Sequence, residues 1–371
     1  MTIEHDLDDD LDAIRHRIDA IDSQLLGLLH ERLACAREIG RLKAQDNRAS
    51  WDPRREQQIH ERLAAQNRGV FPEDALHSIV HEIITTCRLA QRPTTVAYLG
   101  PEGTFTQEAA ELHFGRQALF LPRESAEDIF EDVARGRSEY GVVPVENSIE
   151  GSVTSTLDGF IRCRVQIVAE LYLPIRHHLL CRSGDREAIR TVTSHPQALA
   201  QCRGWLQKNL PGIPCQPVLS TALAAQLAAQ DGSVAAIASH EAMKRYRLQV
   251  VAPRIEDRAG NTTRFLVIGR QSPMRTGRDK TSVLIGLMDR PGALQATLSL
   301  LADRHINLTR IESRPNRDQP WSYLFFLDLE GHYDDDVVQD GCQRLREACT
   351  AFVWLGSYPK ADRRDEPAAG C

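Results

Sequence analysis

Three cations sit along what should be an unbroken apolar seam. Leu11, Ile14, Ile18, Ile21, Leu25, Leu28, Arg32, Cys35, Ile39 and Leu42 recur at alternating steps of three and four, the a/d pattern of a helix that packs on another helix. Arg32 occupies a seam position, Arg15 flanks it beside Leu11 and Ile18, and Lys43 ends it beside Ile39. A guanidinium is costly to desolvate unless an anion meets it. A single seam Arg reads equally as a core salt bridge or a register-setting residue; three cations on one stripe point to a bound anion. Arg15 and Arg32 lie about 25 Å apart along one helix, too far to clamp one small diacid. In an antiparallel dimer, Arg15 of the partner subunit approaches Arg32, and Lys43 bends back towards it.

A second set of candidates is neutral. LGPEGTFTQEAA (99–110), YGVVPVENSIEGSV (140–153), TSHPQALAQC (193–202), LSTALAA (219–225), IASHEA (237–242) and NTTRF (261–265) are small, hydroxyl-rich turns at the ends of short apolar runs. Ligands of open α/β sheets bind at such strand ends, often against helix N-termini. Thr104, Thr106, Asn147, Ser148, Ser194, Gln197 and Thr263 offer donors suited to carboxylates, and Arg264 offers a charge. Each Ser or Thr taken singly reads as a cap or turn residue. Glu146 and His195 are the titratable residues in these strings able to supply a proton, though His195, before Pro196 at a predicted helix start, also reads as structural.

The elements that must position these residues fall into three pieces. Helices are predicted over 11–43, from Asp52 (N-cap, with Pro53 in the first turn) to Gln66, and from Pro72 to about Gln91. The first, about 48 Å long, outgrows a compact 90-residue bundle, so its ends should meet another chain. From Thr95 strands and helices alternate, which reads as a two-lobed α/β domain with mostly parallel sheet. Residues 270–280 read as a linker and 281–359 as βαββαβ, a ferredoxin-like unit. The tail after Pro359 reads as disordered.

The chain has 371 residues, 42% hydrophobic and 26% charged, with a net charge of -6. That excludes wholesale disorder and argues against nucleic acid as a partner. No apolar run reaches membrane-spanning length, and the acidic N-terminus is neither a secretory nor a transit signal. Nine cysteines without a CxxC suit a reducing cytoplasm rather than a disulfide framework or zinc knuckle. His177–His178 and His77/His81 lack the other ligands a metal needs.

Residues 8–92 resemble the all-helical chorismate mutase family, on LDAIRHRIDAIDSQLLGLLHERLACAREIGRLK, WDPRREQQIHERL and EIITTCRLAQ. The resemblance implies that Arg15 of the partner subunit and Arg32 bind the two carboxylates of chorismate. Lys43 would bind a carboxylate and the ether oxygen, and Gln91 the other side of that oxygen. Asp52 and Glu56 would hold the ring hydroxyl, with Arg55 nearby; Cys87 sits where the family tolerates a small residue. The rearrangement needs positioning and fixed donors but no cofactor. Gln91 donates at any pH, so no acid optimum is expected.

Residues 95–270 resemble the prephenate dehydratase family, on the six strings in order. The resemblance implies Thr263 at the leaving hydroxyl. It implies a substrate surface of Thr104, Phe105, Thr106, Asn147, Ser148, Ser194, His195, Gln197, Thr221, Arg264 and Phe265. Residues 281–359 resemble an ACT domain of the phenylalanine-binding kind, on DRPGAL (289–294) and LTRIESRP (308–315). It implies an effector pocket of Gly292, Ala293, Leu294, Glu312, Ser313, Arg314 and Pro315. The expectation is a multidomain cytoplasmic enzyme, a homodimer or higher, inhibited by L-phenylalanine, with no metal or cofactor and no membrane or nucleic-acid partner. One rival pairs the mutase with a dehydrogenase, yet no GxGxxG follows a predicted strand. Another is a ligand-binding sensor, which shares the two-lobed architecture.

Overall fold

The computed structural model describes residues 2–45, 51–315 and 323–361, with the side chains of 2–9 and 44 left aside. The expected tail, and the start of the strand predicted at Trp321, lie outside the described residues. The backbone divides between Pro93 and Thr94 into two units.

The first unit is helical: α1 (Thr2–Gln45), α2 (Pro53–Asn67) and α3 (Glu73–Leu89). Asp52 caps α2, its carboxylate accepting the Arg55 amide at 3.0 Å. Helix α1 is longer than the seam predicts, about 66 Å, because the acidic run before Leu11 suits a helix N-terminus. Val80, Ile84 and Cys87 of α3 are buried. The α1 seam is not: Leu11, Ile14, Ile18, Ile21, Leu25, Leu28, Ile39 and Leu42 are 46% to 61% exposed.

The second unit begins with β1 (Thr95–Leu99), α4 (Phe105–Phe114), β2 (Leu119–Arg123), α5 (Ala126–Ala134), β3 (Tyr140–Asn147), β4 (Gly151–Ser152), α6 (Thr154–Arg162) and β5 (Gln166–Pro174). The chain then builds a second lobe. It comprises β6 (His178–Cys181), β7 (Thr191–Ser194), α7 (Pro196–Gln201), α8 (Arg203–Asn209), β8 (Cys215–Pro217), α9 (Thr221–Gln230), β9 (Val234–Ala238), α10 (His240–Tyr246) and β10 (Gln249–Ala252). Strand β11 (Thr262–Gly269) returns to the first lobe. The sheets run β2-β1-β3-β11-β5, with β4 on β3, and β10-β6-β9-β7-β8. Ser and Thr hydroxyls at 104, 125, 220 and 239 cap α4, α5, α9 and α10.

Two lobes are as expected, but a mostly parallel sheet is not. Strand β11 is antiparallel to both β3 and β5, and β6 is antiparallel to both β10 and β9. A strand re-entering from the other lobe arrives reversed, and its apolar stretch Phe265–Ile268 is buried like any central strand.

The last segment is β12 (Asp279–Leu287), α11 (Ala293–Ala302), β13 (Leu308–Pro315), β14 (Tyr323–Glu330), α12 (Asp336–Ala348) and β15 (Ala351–Pro359). It is the expected βαββαβ unit, in an antiparallel sheet of order β13-β14-β12-β15. The linker is tied down rather than loose: Asp279 accepts from the Thr276 and Gly277 amides. The segment shares one core with the first lobe, in which Leu284, Phe326 and Leu355 pack with Val145, Phe160 and Ile167. The described cysteines are free, and four of them, at 87, 181, 202 and 342, are buried as small apolar residues.

Candidate active site

A cleft of about 270 Å³ opens beside the β3–β11 pair, lined among others by Thr104, Phe105, Thr106, Asn147, His177, His195, Gln197, Gln201, Thr221, Asn261, Thr263 and Phe265. Asn147 and Thr263 are register partners on the two strands. The Asn147 side-chain carbonyl accepts the Ile149 and Glu150 amides, at 3.0 and 3.1 Å. That fixes which end of the amide faces inward. Its Nδ2 then donates to Thr263 Oγ1 and to Asn261 Oδ1, both at 2.8 Å. Thr263 is thereby an acceptor from Asn147, and its own O–H remains to be given to a ligand.

Three lining residues escape a residue-by-residue reading of the sequence. Gln201 Oε1 accepts from Asn261 Nδ2 at 3.0 Å and lies 2.9 Å from His177 Nε2. An acceptor there places the ring proton on Nε2. Burial lowers the His177 pKa, against the Gln201 hydrogen bond and Glu256, which raise it. Gln201 follows Gln197 by one helical turn, and that i,i+4 spacing was the available signal. Asn261 opens the NTTRF string. His177 is legible in sequence only as half of a His pair.

Three expected substrate contacts are not in the cleft. Ser194 is fully buried and donates to the Ile237 carbonyl at 2.6 Å. Ser148 is a turn residue whose hydroxyl accepts the Thr262 amide at 3.0 Å. Arg264 follows Thr263 on β11, so strand alternation sends it to the opposite face. There its guanidinium meets Glu170 at 2.7 Å and Asp328 at 2.6 Å. His195 caps α7, its Nδ1 accepting the Gln197 amide at 3.3 Å, and still lines the cleft. Thr104 likewise donates to the Leu99 carbonyl at 2.9 Å.

A wider groove of about 1560 Å³ shares Gly100, Thr104, Leu219 and Ser220 with this cleft. Its walls carry acids and bases in mixed array, among them Glu108, Glu111, Glu241, Lys244 and Arg245. It lacks Thr263 and Asn147, so size does not make it the site of the chemistry.

In the helical unit Arg32 is half-buried and donates to the Ile83 carbonyl at 3.3 Å. Gly40 lets α1 approach the chain just past the end of α3 closely, since a Cβ there would come within 2.7 Å of Gln91 Cβ. Gln91 Oε1 is buried without a hydrogen-bond partner among the described residues. Glu56 accepts from Arg88 at 2.9 Å and from Trp51 Nε1 at 3.3 Å. Arg15 is exposed and pairs with Asp12 at 2.9 Å.

In the last segment Gly292 precedes α11, with Ala293 and Leu294 in its first turn. On the edge strand β13, even-numbered residues turn inward: Glu312 accepts from Ser152 at 2.6 Å and Arg314 pairs with Asp158 at 2.8 Å. Ser313 and Pro315 face outward. No cluster of metal-ligating side chains occurs among the described residues.

Comparison with known proteins gives a family to each part. Residues 14–92 match chorismate mutase type II, 96–273 prephenate dehydratase, and 281–340 the ACT domain. These define the class: an isomerase joined to a carbon–oxygen lyase and a small ACT segment. The chain is 44% identical over 357 residues to the bifunctional chorismate mutase/prephenate dehydratase of Aquifex aeolicus strain VF5, covering 95% of this chain and 99% of the relative. It is 40% identical over 359 residues to the Pseudomonas aeruginosa enzyme of the same description, covering 95% and 98%. The solved structure of prephenate dehydratase from Arthrobacter aurescens in complex with L-Phe matches at a TM-score of 0.68 and 36% identity, covering 73% of this chain and 91% of that one. The chain belongs to the bifunctional chorismate mutase/prephenate dehydratase family, and it carries both activities.

Proposed function

We propose that Thr263 polarises the leaving hydroxyl of prephenate, within a cleft whose amides and hydroxyls hold the two carboxylates. The supporting observation is the fixed Asn147 amide, which donates to Thr263 Oγ1 and leaves the threonine hydrogen for the substrate. In the step, the bond from the ring to its carboxylate breaks and CO₂ departs. That electron pair aromatises the ring and expels the hydroxyl, which takes up a proton and leaves as water. Phenylpyruvate remains. A Thr hydroxyl is a weak acid, so it orients and stabilises the departing oxygen rather than supplying the proton outright.

The chorismate step rests on a second copy. The exposed α1 seam and Arg15, far from Arg32 on the same helix, support a homodimer in which Arg15 of the partner subunit completes a site with Arg32, Lys43, Asp52, Arg55, Glu56, Cys87 and Gln91. Gln91 Oε1, buried without a hydrogen-bond partner among the described residues, supports a polar ligand position there. The segments 8–92, 95–270 and 281–359 then act as mutase, dehydratase and regulatory domains of a cytoplasmic enzyme. L-Phenylalanine is the effector of the last, held at Gly292, Ala293 and Leu294 and at Glu312, Ser313, Arg314 and Pro315.

Incubation with chorismate alone tests the reading, with phenylpyruvate followed at alkaline pH. Thr263→Ala should lower dehydratase turnover by more than about tenfold, so that prephenate accumulates at an unchanged mutase rate. Near-normal phenylpyruvate formation by that variant would refute the assignment.

A further inference from the structure

Strands β4, β3 and β11 carry two neighbouring rows of paired residues. Gly151, Asn147 and Thr263 form one row; Ser152, Glu146 and Arg264 form the next. Successive strand residues face opposite sides of a sheet. The first row therefore carries the Asn147–Thr263 hydrogen bond, and the second lies on its back.

The back row meets another pair in register, Arg310 on β13 and Asp328 on β14. Arg310 Nη2 donates to Ser152 Oγ at 2.8 Å. Its Nε stands 3.3 Å from Glu146 Oε2, an ion-pair distance without hydrogen-bond alignment. Asp328 holds Arg264 at 2.6 Å. Burial alone would raise the Asp328 carboxyl, but Arg264, Ser282 and Arg310 take it below its ordinary value. Glu146, Arg310, Asp328 and Arg264 thus alternate in sign. Arg310, Asp328 and Arg264 are largely buried while Glu146 is partly exposed, so removing one of the three leaves a neighbouring charge desolvated and unpaired, and they are held as a unit. Glu312 joins it by accepting from Ser152 at 2.6 Å and lying 3.9 Å from Arg310.

We propose that Arg310 is a positioning residue for the dehydratase reaction: by gripping Glu146 and Ser152 it sets Asn147 against Thr263, and effector binding in the last segment acts on catalysis through this contact. The second half rests on the effector reading above; the first does not. Misplacing a catalytic group by about 1 Å costs on the order of a hundredfold, so a small shift of the back row is enough.

The test uses the full-length protein. Arg310→Met should lower dehydratase kcat about tenfold with KM within about twofold, and Arg310→Lys should recover part of the loss. A parent-like thermal transition of the second unit reports that the variants are folded there, and mutase turnover should be unchanged in both. L-Phenylalanine binding by equilibrium dialysis should stay within about threefold, while the concentration that half-inhibits should rise more than about fivefold. Ser152→Ala deletes only a hydroxyl and carries the test if Arg310→Met does not fold; its kcat should fall about threefold. Wild-type kcat in Ser152→Ala and in folded Arg310→Met overturns the positioning role. An unchanged inhibition curve in a folded variant overturns the coupling. If the parent protein neither binds nor responds to L-phenylalanine, the effector reading and the coupling fail together, and the kcat comparison still decides the positioning.

Discussion

Asn147 does two things that no other residue in the cleft can replace. Its carbonyl end is held by two backbone amides, and its amino end is therefore committed to Thr263 and Asn261. Asn147→Ala should cut dehydratase kcat by about a hundredfold, the scale of losing a fixed donor in a closed site. Ser148 is its neighbour in sequence but only ties a turn, so Ser148→Ala should stay within about threefold of the parent. Steady-state rates on prephenate check both. The six strings mark this neighbourhood but do not separate Ser148 and Ser194 from the residues that face the ligand. Hydroxyls that bond a backbone group and hydroxyls that meet a substrate look alike until the strand faces are known.

At the scale of the helix, the proposed homodimer rests on the α1 seam. Apolar residues half-exposed from Leu11 to Leu42, along about 47 Å, make a surface that water disfavours. Leu25→Glu, in the middle of the seam, should split the assembly at micromolar concentration and lower mutase activity by more than about tenfold, with the dehydratase retained. Light scattering and the two assays read this separately. Between α2 and α3, His60 stacks on His77 with centroids 4.2 Å apart, and His81 stands 6.4 Å from it. Burial first, then the two neighbouring imidazoles, bring the His60 pKa from 6.5 to about 4. An unfolded chain binds that proton below pH 6.5 while the folded one does not until about 4. The stability contributed by neutral His60 is therefore complete above 6.5 and declines as pH falls through that window. His60→Gln should flatten the decline in thermal melts; an equal pH slope in parent and variant contradicts it.

For the second unit as a whole, the decisive contact is between sheets. Gly356 on β15 has φ +136, and a Cβ there would stand 2.3 Å from the Ile167 carbonyl on β5. Gly356→Ala should cost about 2 kcal/mol or more by forcing β15 off β5. Calorimetry should show the loss in the transition of this unit, accompanied by weaker L-phenylalanine inhibition. Nothing in the sequence around FVWLGSYP distinguishes this glycine from an ordinary strand breaker, because the atom it avoids is nearly two hundred residues away.

The sequence by itself determined the three-part order, the helical seam with its misplaced cations, the βαββαβ segment and the string containing Thr263. Each of these is written in local periodicity or in contiguous residues. Only the tertiary structure decided which way β11 runs, that Arg264 faces the last segment instead of the cleft, and that Gln201, Asn261 and His177 join the site. Those facts depend on where a strand returning from another lobe is inserted. The pairing is non-local, and a one-residue difference in register reverses which side chains meet the ligand.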